Sequence, residues 1–174
     1  MAIFHLHAKH VSRGKGQTLA AKSAYNSGSR VYCPRTDRFH NKSSRTGVSY
    51  VEILLPKYAS NDLRDRQRLV QALEGAEKRH DARVAIDIEM SLPIDLKPRA
   101  NLDLIRQFAQ QMFVDQGLIV DICVHNLSGQ NPHCHLLIAT RKLQADGTFM
   151  PVKDRSREHK GWLVKLRQQW AIAV

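Results

Sequence analysis

An α+β domain with a mainly antiparallel central β-sheet backed by helices is the fold that this chain predicts, on three observations. Short β-branched segments alternate apolar and polar residues, and amphipathic helical stretches fall between them. Two apolar runs also flank the turn-like segment His125-Asn-Leu-Ser-Gly-Gln-Asn-Pro-His133 and so read as a hairpin. The resulting order is β-α-β-α-β-α-β-β-α. A chain of 174 residues with 43% hydrophobic content can bury one real core, so residues 1–174 are expected to form a single domain.

The first strand is expected from Ile3 to Lys9, with Phe4, Leu6 and Ala8 on one face and His5, His7 and Lys9 on the other. Gly14-Lys15-Gly16 turns the chain into a helix from Thr18 to Tyr25 that ends near Asn26 to Gly28. Residues 29–47 are basic and polar, contain Pro34 and Gly47, and read as a long exposed loop. Val48 to Leu55 follows as a strand stopped by Pro56. Asn61 then caps a helix that reaches about His80, with Leu63, Arg66, Val70, Leu73 and Glu77 along one stripe.

Arg83 to Leu92 is the next strand. Val84, Ile86, Ile88 and Met90 give it an apolar face, so Asp87 and Glu89 project together from the other. Asn101 opens a helix that turns Leu104, Ile105, Phe108 and Met112 inward, and Gly117 is its stop. Leu118 to Val124 and Leu136 to Thr140 form the hairpin. Beyond Arg141 the turn Ala145-Asp-Gly-Thr leads to a last helix near Glu158 to Ala171, with Trp162, Leu166 and Trp170 on one face. No helix-ending signal precedes Val174, and the domain is expected to be the N-terminal part of a longer protein.

Composition narrows the setting. No apolar run is long enough to span a bilayer, and the first residues lack the charged start and apolar core of a secretory signal, which points to a cytoplasmic protein without membrane insertion. Cys33, Cys123 and Cys134 make no even set and no Cys-x-x-Cys pair, as expected of free thiols in a reducing compartment. The net charge of +11 is uneven: residues 1–50 hold nine Lys and Arg against one acid, Asp37, whereas residues 51–150 hold twelve against thirteen. A solvated face explains a modest excess of charge. Fifty residues with one carboxylate instead point to a polyanionic partner, of which nucleic acid is the commonest.

The hairpin carries the chemistry. His133 and His135 are two residues apart on a strand and face the same way, Cys134 faces the other, and His125 ends the preceding strand nearby. A lone strand histidine is ordinarily a surface or hydrogen-bonded core residue, and His-x-His alone is a weak pattern. The third histidine and the Asn-Pro turn shift the balance toward a divalent metal with open coordination positions. On a basic scaffold such a metal suits polarisation of a phosphodiester. Water as nucleophile would make a nuclease; a side-chain hydroxyl would make a transesterase that becomes joined to DNA. Of Tyr25, Tyr32, Tyr50 and Tyr58, Tyr25 lies among small polar residues in the most basic segment, although taken alone it also reads as a packing tyrosine.

Three separated motifs, Met1-Ala-Ile-Phe-His-Leu-His-Ala-Lys, Gly16-Gln17 with Ala21-Lys-Ser-Ala-Tyr25, and Asn131-Pro-His-Cys-His-Leu-Leu, together resemble the N-terminal relaxase domains of the MobA/MobL (MobQ) mobilisation proteins, members of the HUH endonuclease superfamily. The resemblance continues through Glu52-Ile-Leu-Leu-Pro56, Ser91-Leu-Pro93 and the Trp162 to Trp170 helix. It implies an HUH relaxase fold and nicking at the nic site of a transfer origin, oriT. Tyr25 matches the nucleophile that leaves a 5′-phosphotyrosine link, later reversed to religate the strand, and His125, His133 and His135 match the metal triad. Asp87, with Glu89 second, matches an acidic residue that binds metal, accepts the tyrosine proton or orients a histidine. The implied cofactor is a divalent ion, Mg or Mn first, with Zn, Ni or Co as others. The implied partners are single-stranded or hairpin oriT DNA, accessory relaxosome proteins and a type IV secretion coupling protein. Lys9, Arg13, Lys15, Lys22 and Arg30 are candidate phosphate contacts. His5 and His7 read as an exposed polar face near the site. A water-using metal nuclease and a non-catalytic DNA-binding module with a structural metal are the alternatives. A replication initiator of the same superfamily is disfavoured, because its tyrosine follows the histidines.

Overall fold

The computed structural model describes residues 5–174, so the expected strand start at Ile3 and Phe4 lies outside the described residues. In chain order the elements are β1 (Leu6–Ser12), α1 (Leu19–Ser27), β2 (Arg30–Cys33), β3 (Arg38–Asn41), β4 (Val48–Leu54), α2 (Arg66–Gly75), β5 (Arg83–Ser91), α3 (Pro98–Met112), β6 (Val120–His125), β7 (His133–Ala139) and α4 (Lys160–Ala173). Five strands form one sheet in the order β1-β5-β7-β6-β4, antiparallel at every pairing, and β2 and β3 form a separate ribbon. The fold is therefore α+β with an antiparallel sheet, as the sequence predicts.

The period of two divides each central strand between two cores. Ile86, Ile88 and Met90 of β5, Val120, Ile122 and Val124 of β6, and Cys134, Leu136 and Ile138 of β7 pack against Ile105, Phe108 and Ala109 of α3 and Leu166 and Trp170 of α4. Phe108 and Trp170 meet edge to face at 5.0 Å between centroids. Ala85, Leu137 and Ala139 face the other way, toward Leu19, Ala20 and Ala24 of α1 and Leu69, Val70 and Leu73 of α2. Burying one such large side chain contributes roughly 1.5–3 kcal/mol, and helices on both faces make β6 and β7 read as continuous apolar runs. Among the described residues no helix is long and apolar enough to cross a membrane.

Several boundaries differ from expectation, among them the end of β1, which runs on to Ser12 rather than stopping at Lys9. Residues 29–47 are not one loop but contain the β2–β3 hairpin, turned at Asp37 with φ 51°. Val31 and Cys33 alternate into the α1 core, while the flanking Arg30, Arg35 and Arg38 disguise so short a period. The helix expected from Asn61 to His80 is broken at Asp65, whose extended backbone and carboxylate, 2.9 Å from the Arg68 amide, restart the chain as α2. That helix ends at Gly75. Helix α3 begins at Pro98, a favourable first helical residue, so Asn101 lies inside its first turn and donates to the Pro93 carbonyl at 2.9 Å. Along α3, Ala109 is buried where the sequence put Leu104 and Met112, both of which are only partly covered.

Candidate active site

Strand register builds the site. His125 of β6 lies directly opposite His133 of β7, and His135 stands between Cys123 and Glu89. Side chains two apart share a face, so the three histidines, Asp87 and Glu89 all project from the α1 side of the sheet. The imidazole centroids are 5.0–5.8 Å apart, and one ring nitrogen from each lies within 4.8 Å of the others.

Each ring also has one nitrogen committed to an acceptor-only oxygen. His135 Nδ1 is 3.3 Å from Asp87 Oδ1, His133 Nδ1 is 2.9 Å from the Asn131 carbonyl, and His125 Nε2 is 2.6 Å from the Asn26 carbonyl. Those nitrogens must carry the protons. The lone pairs left are Nδ1 of His125 and Nε2 of His133 and His135, a donor set that fits a divalent transition metal with its orienting hydrogen bonds in place. Burial, only partly opposed by the Asn26 carbonyl, holds His125 down at about 4, and it is neutral at pH 7.

Helix α1 brings the remaining groups across this face. Thr18 caps it by accepting from the Ala21 amide at 3.0 Å, and Gly28 ends it at φ 63°. Leu19, Ala20 and Ala24 fix its buried side, which carries Asn26 to the histidines. Asn26 Nδ2 donates to Asp87 Oδ1 at 2.9 Å, and Lys22 Nζ is 2.9 Å from Asp87 Oδ2. Burial alone would raise the Asp87 carboxyl, but His135 and Lys22 outweigh it and hold the group at about 2. Asp87 thus orients His135 and ties α1 to β5. Glu89 lies in register between His7 and His135, and its carboxylate has no hydrogen bond among the described residues.

Tyr25, on the outer side of α1, is 44% exposed. The other tyrosine hydroxyls are spent: Tyr32 donates to Asp37 and Tyr50 to Glu52, both at 2.7 Å, and Tyr58 to the Leu143 carbonyl at 2.8 Å. Among the described residues the Tyr25 hydroxyl alone has no protein acceptor. Arg45, which no sequence motif singled out, stacks its guanidinium 3.8 Å from the Tyr25 ring centroid and points Nη2 at His125 Nδ1, 3.4 Å away. It is one of many basic residues in a segment read as loop, and only the tertiary pairing identifies it. That pairing rests on the Asn126 amide, which donates to the Gly47 carbonyl at 2.8 Å.

Of the candidate phosphate contacts, Arg13 does not belong. Its side chain is 7% exposed, ion-paired with Glu74 at 2.5 Å, and it donates to the Glu74, Glu77 and Arg79 carbonyls at the end of α2. Glu74 in turn accepts from the Leu19 amide at 3.2 Å, so this buried pair seats the start of α1. Lys22 is engaged by Asp87. Lys9, Lys15 and Arg30 are exposed, with Arg30 stacked 3.7 Å from Phe39. His5 and His7 stack on each other at 6.3 Å. A larger cavity of about 1030 Å³ lies at the other end of β5, near Arg79, Arg83 and Arg141, and is lined by none of Tyr25, Asp87 and the three histidines.

Residues 17–172 match the model of the MobA/MobL family. A probable conjugal transfer protein TraA of Sinorhizobium fredii is 31% identical over 157 residues, covering 84% of this chain and 14% of that protein. The chain therefore spans about a seventh of that relative's length. A solved structure from work on the molecular basis of vancomycin resistance transfer in Staphylococcus aureus superposes with a TM-score of 0.90 at 32% identity, covering 99% of this chain and 90% of that one. The conjugative relaxase TrwC, solved with oriT DNA and metal, shares the fold at a TM-score of 0.52 and 12% identity, over 97% of this chain and 69% of its own.

Proposed function

The chain belongs to the MobA/MobL family, and on that premise we propose that it is the nicking domain of a plasmid-transfer relaxase, cutting one strand of oriT DNA by transesterification at Tyr25. The observation that carries this reading is the bridge made by Arg45, which stacks on the ring of a tyrosine whose hydroxyl has no protein acceptor and reaches the metal-facing Nδ1 of His125, one of three histidines held in place through Asn26 and Asp87. His125, His133 and His135 would hold a divalent ion, Mg or Mn first and Zn, Ni or Co as others, and when bound it would supply Lewis-acid polarisation of a phosphate oxygen.

The chain's own groups account for the remainder. Tyr25 Oη attacks the scissile phosphorus, the bond to the 3′-oxygen of the upstream nucleotide breaks, and a 5′-phosphotyrosine and a free 3′-hydroxyl result. The phenol proton leaves as the new bond forms, and the departing 3′-oxygen gains one. Arg45, lying between the tyrosine ring and His125, is placed to pair with the phosphate oxygens as charge develops. Asp87 orients His135, Lys22 and Asn26 rather than reaching substrate itself, whereas Glu89 is the carboxylate free to accept a proton. The ester energy is retained in the link, so the strand can be resealed without ATP. Accessory relaxosome proteins and a type IV secretion coupling protein are the further partners expected of such a domain.

Incubating the chain with labelled transfer-origin single strands and Mn or Mg tests the proposal. A denaturation-resistant protein–DNA adduct that requires the metal is expected. Cleavage without an adduct would favour the water-using nuclease, and binding without cleavage would favour the DNA-binding module.

A further inference from the structure

The geometry points to a nucleotide-binding pocket beside Tyr25 that holds one nucleotide next to the nick and helps to choose where the strand is cut. It rests on the proposed strand transfer at Tyr25 and adds a specificity site to it. A cavity of about 320 Å³ lies between Lys9 and Val11 of β1, Thr18, Ala21, Lys22 and Tyr25 at α1, and His40 of β3; it shares Tyr25 and Asp87 with the active site but none of the three histidines. That volume is at the lower end for small-ligand sites and suits one nucleotide rather than a longer stretch.

The walls match a nucleotide in three respects. Val11, Ala21 and the Tyr25 ring offer an apolar surface with one flat aromatic wall for a base. His40, whose Nε2 is held 3.4 Å from the Thr18 cap hydroxyl, marks a polar end, and β1 is the outer strand of the sheet, so backbone N–H and C=O groups along its free edge offer the hydrogen bonds. Lys9 is exposed and makes no ion pair among the described residues, which leaves its charge for a phosphate. The Asp87 carboxylate is no deterrent, being neutralised by Lys22 and tied to Asn26 and His135. A strand with its phosphate at Tyr25 lies beside this opening, because Tyr25 forms one wall of it.

Transfer-origin single strands carrying an abasic site at each position around the nick, in turn, provide the test. Wild-type chain should lose about tenfold or more in adduct yield for an abasic site at one of the two nucleotides flanking the nick. Ala21→Phe, which fills the cavity, should reverse that preference and form more adduct with the abasic strand than with the intact one. Equal yields from every strand, or wild-type behaviour of Ala21→Phe on intact DNA, would overturn the pocket. A strand with 5-iodouracil at that position should photo-cross-link to residues 9–11 or 16–25, and cross-links confined to other segments would also overturn it. The cross-link needs neither cleavage nor the variant. Absence of any adduct would therefore count against the strand-transfer reading, while the cross-link would still decide the pocket.

Discussion

Asp87 and Arg13 show how far a residue's type is from its role. Both are charged residues that the sequence offers to the active site or to DNA, and both are buried in pairs that hold α1 in place. Asp87 is held below its ordinary 3.8, at about 2, so its stabilisation is present above that ordinary value and is lost as the pH falls toward 2. The shift corresponds to on the order of 2 kcal/mol. Urea unfolding of wild-type chain and Asp87→Asn should show a stability gap at pH 7 that narrows by pH 3; a gap constant with pH would contradict this. Arg13→Gln strands the buried Glu74 carboxylate and should cost about 3 kcal/mol or more by chemical denaturation. It should leave the salt dependence of DNA binding unchanged, whereas Lys9→Gln should lower the slope of log affinity against log salt by about 0.7. Arg45 marks the limit of reading residues alone. Nothing in its neighbourhood along the chain separates it from eight other cations in the first fifty residues, and its place over Tyr25 comes from a loop pinned at Gly47 to Asn126.

At the level of elements, β6 and β7 are legible because burial on both faces gives apolar runs, β5 because Val84, Ile86, Ile88 and Met90 alternate with Asp87 and Glu89, and the spacing of His133 and His135 alone fixes their common face. The β2–β3 ribbon was not legible. Its two four-residue strands bury only Val31 and Cys33, too few alternations to stand out against the basic residues around them. The expected second helix failed at Asp65, where a side chain able to continue a helix instead caps a new one. Helix α1 was read correctly in extent, but not its coupling to the histidines through Asn26. That coupling depends on where α1 ends. Gly28 has φ 63°, and a Cβ there would meet Val48 Cγ2 at 3.0 Å, so Gly28→Ala should cost about 1–2 kcal/mol and displace Asn26 from His125. Thermal unfolding and metal titration of this variant should both register the change; wild-type stability with wild-type metal affinity would show that the helix end does not position the site.

For the whole molecule, two apolar cores on either side of one sheet carry stability, and the histidines lie at the sheet's end. Removing the metal with a chelator should therefore abolish strand cleavage while leaving the far-ultraviolet circular dichroism and cooperative unfolding in place. Loss of folded structure on chelation would make the metal structural. The α+β class and antiparallel sheet follow from the distribution of apolar residues, whereas the chemistry depends on long-range register, which brings residues 25, 45, 87, 125, 133 and 135 together from five places in the chain. Tyr25 as nucleophile is the claim on which the reading turns. The most direct test is tandem mass spectrometry of the protease-digested adduct formed with transfer-origin single strand. The expected result is a 5′-phosphonucleotide on the peptide that contains Tyr25, with no modified peptide after Tyr25→Phe. A nucleotide on Tyr32, Tyr50 or Tyr58, or an unchanged adduct in Tyr25→Phe, would contradict it.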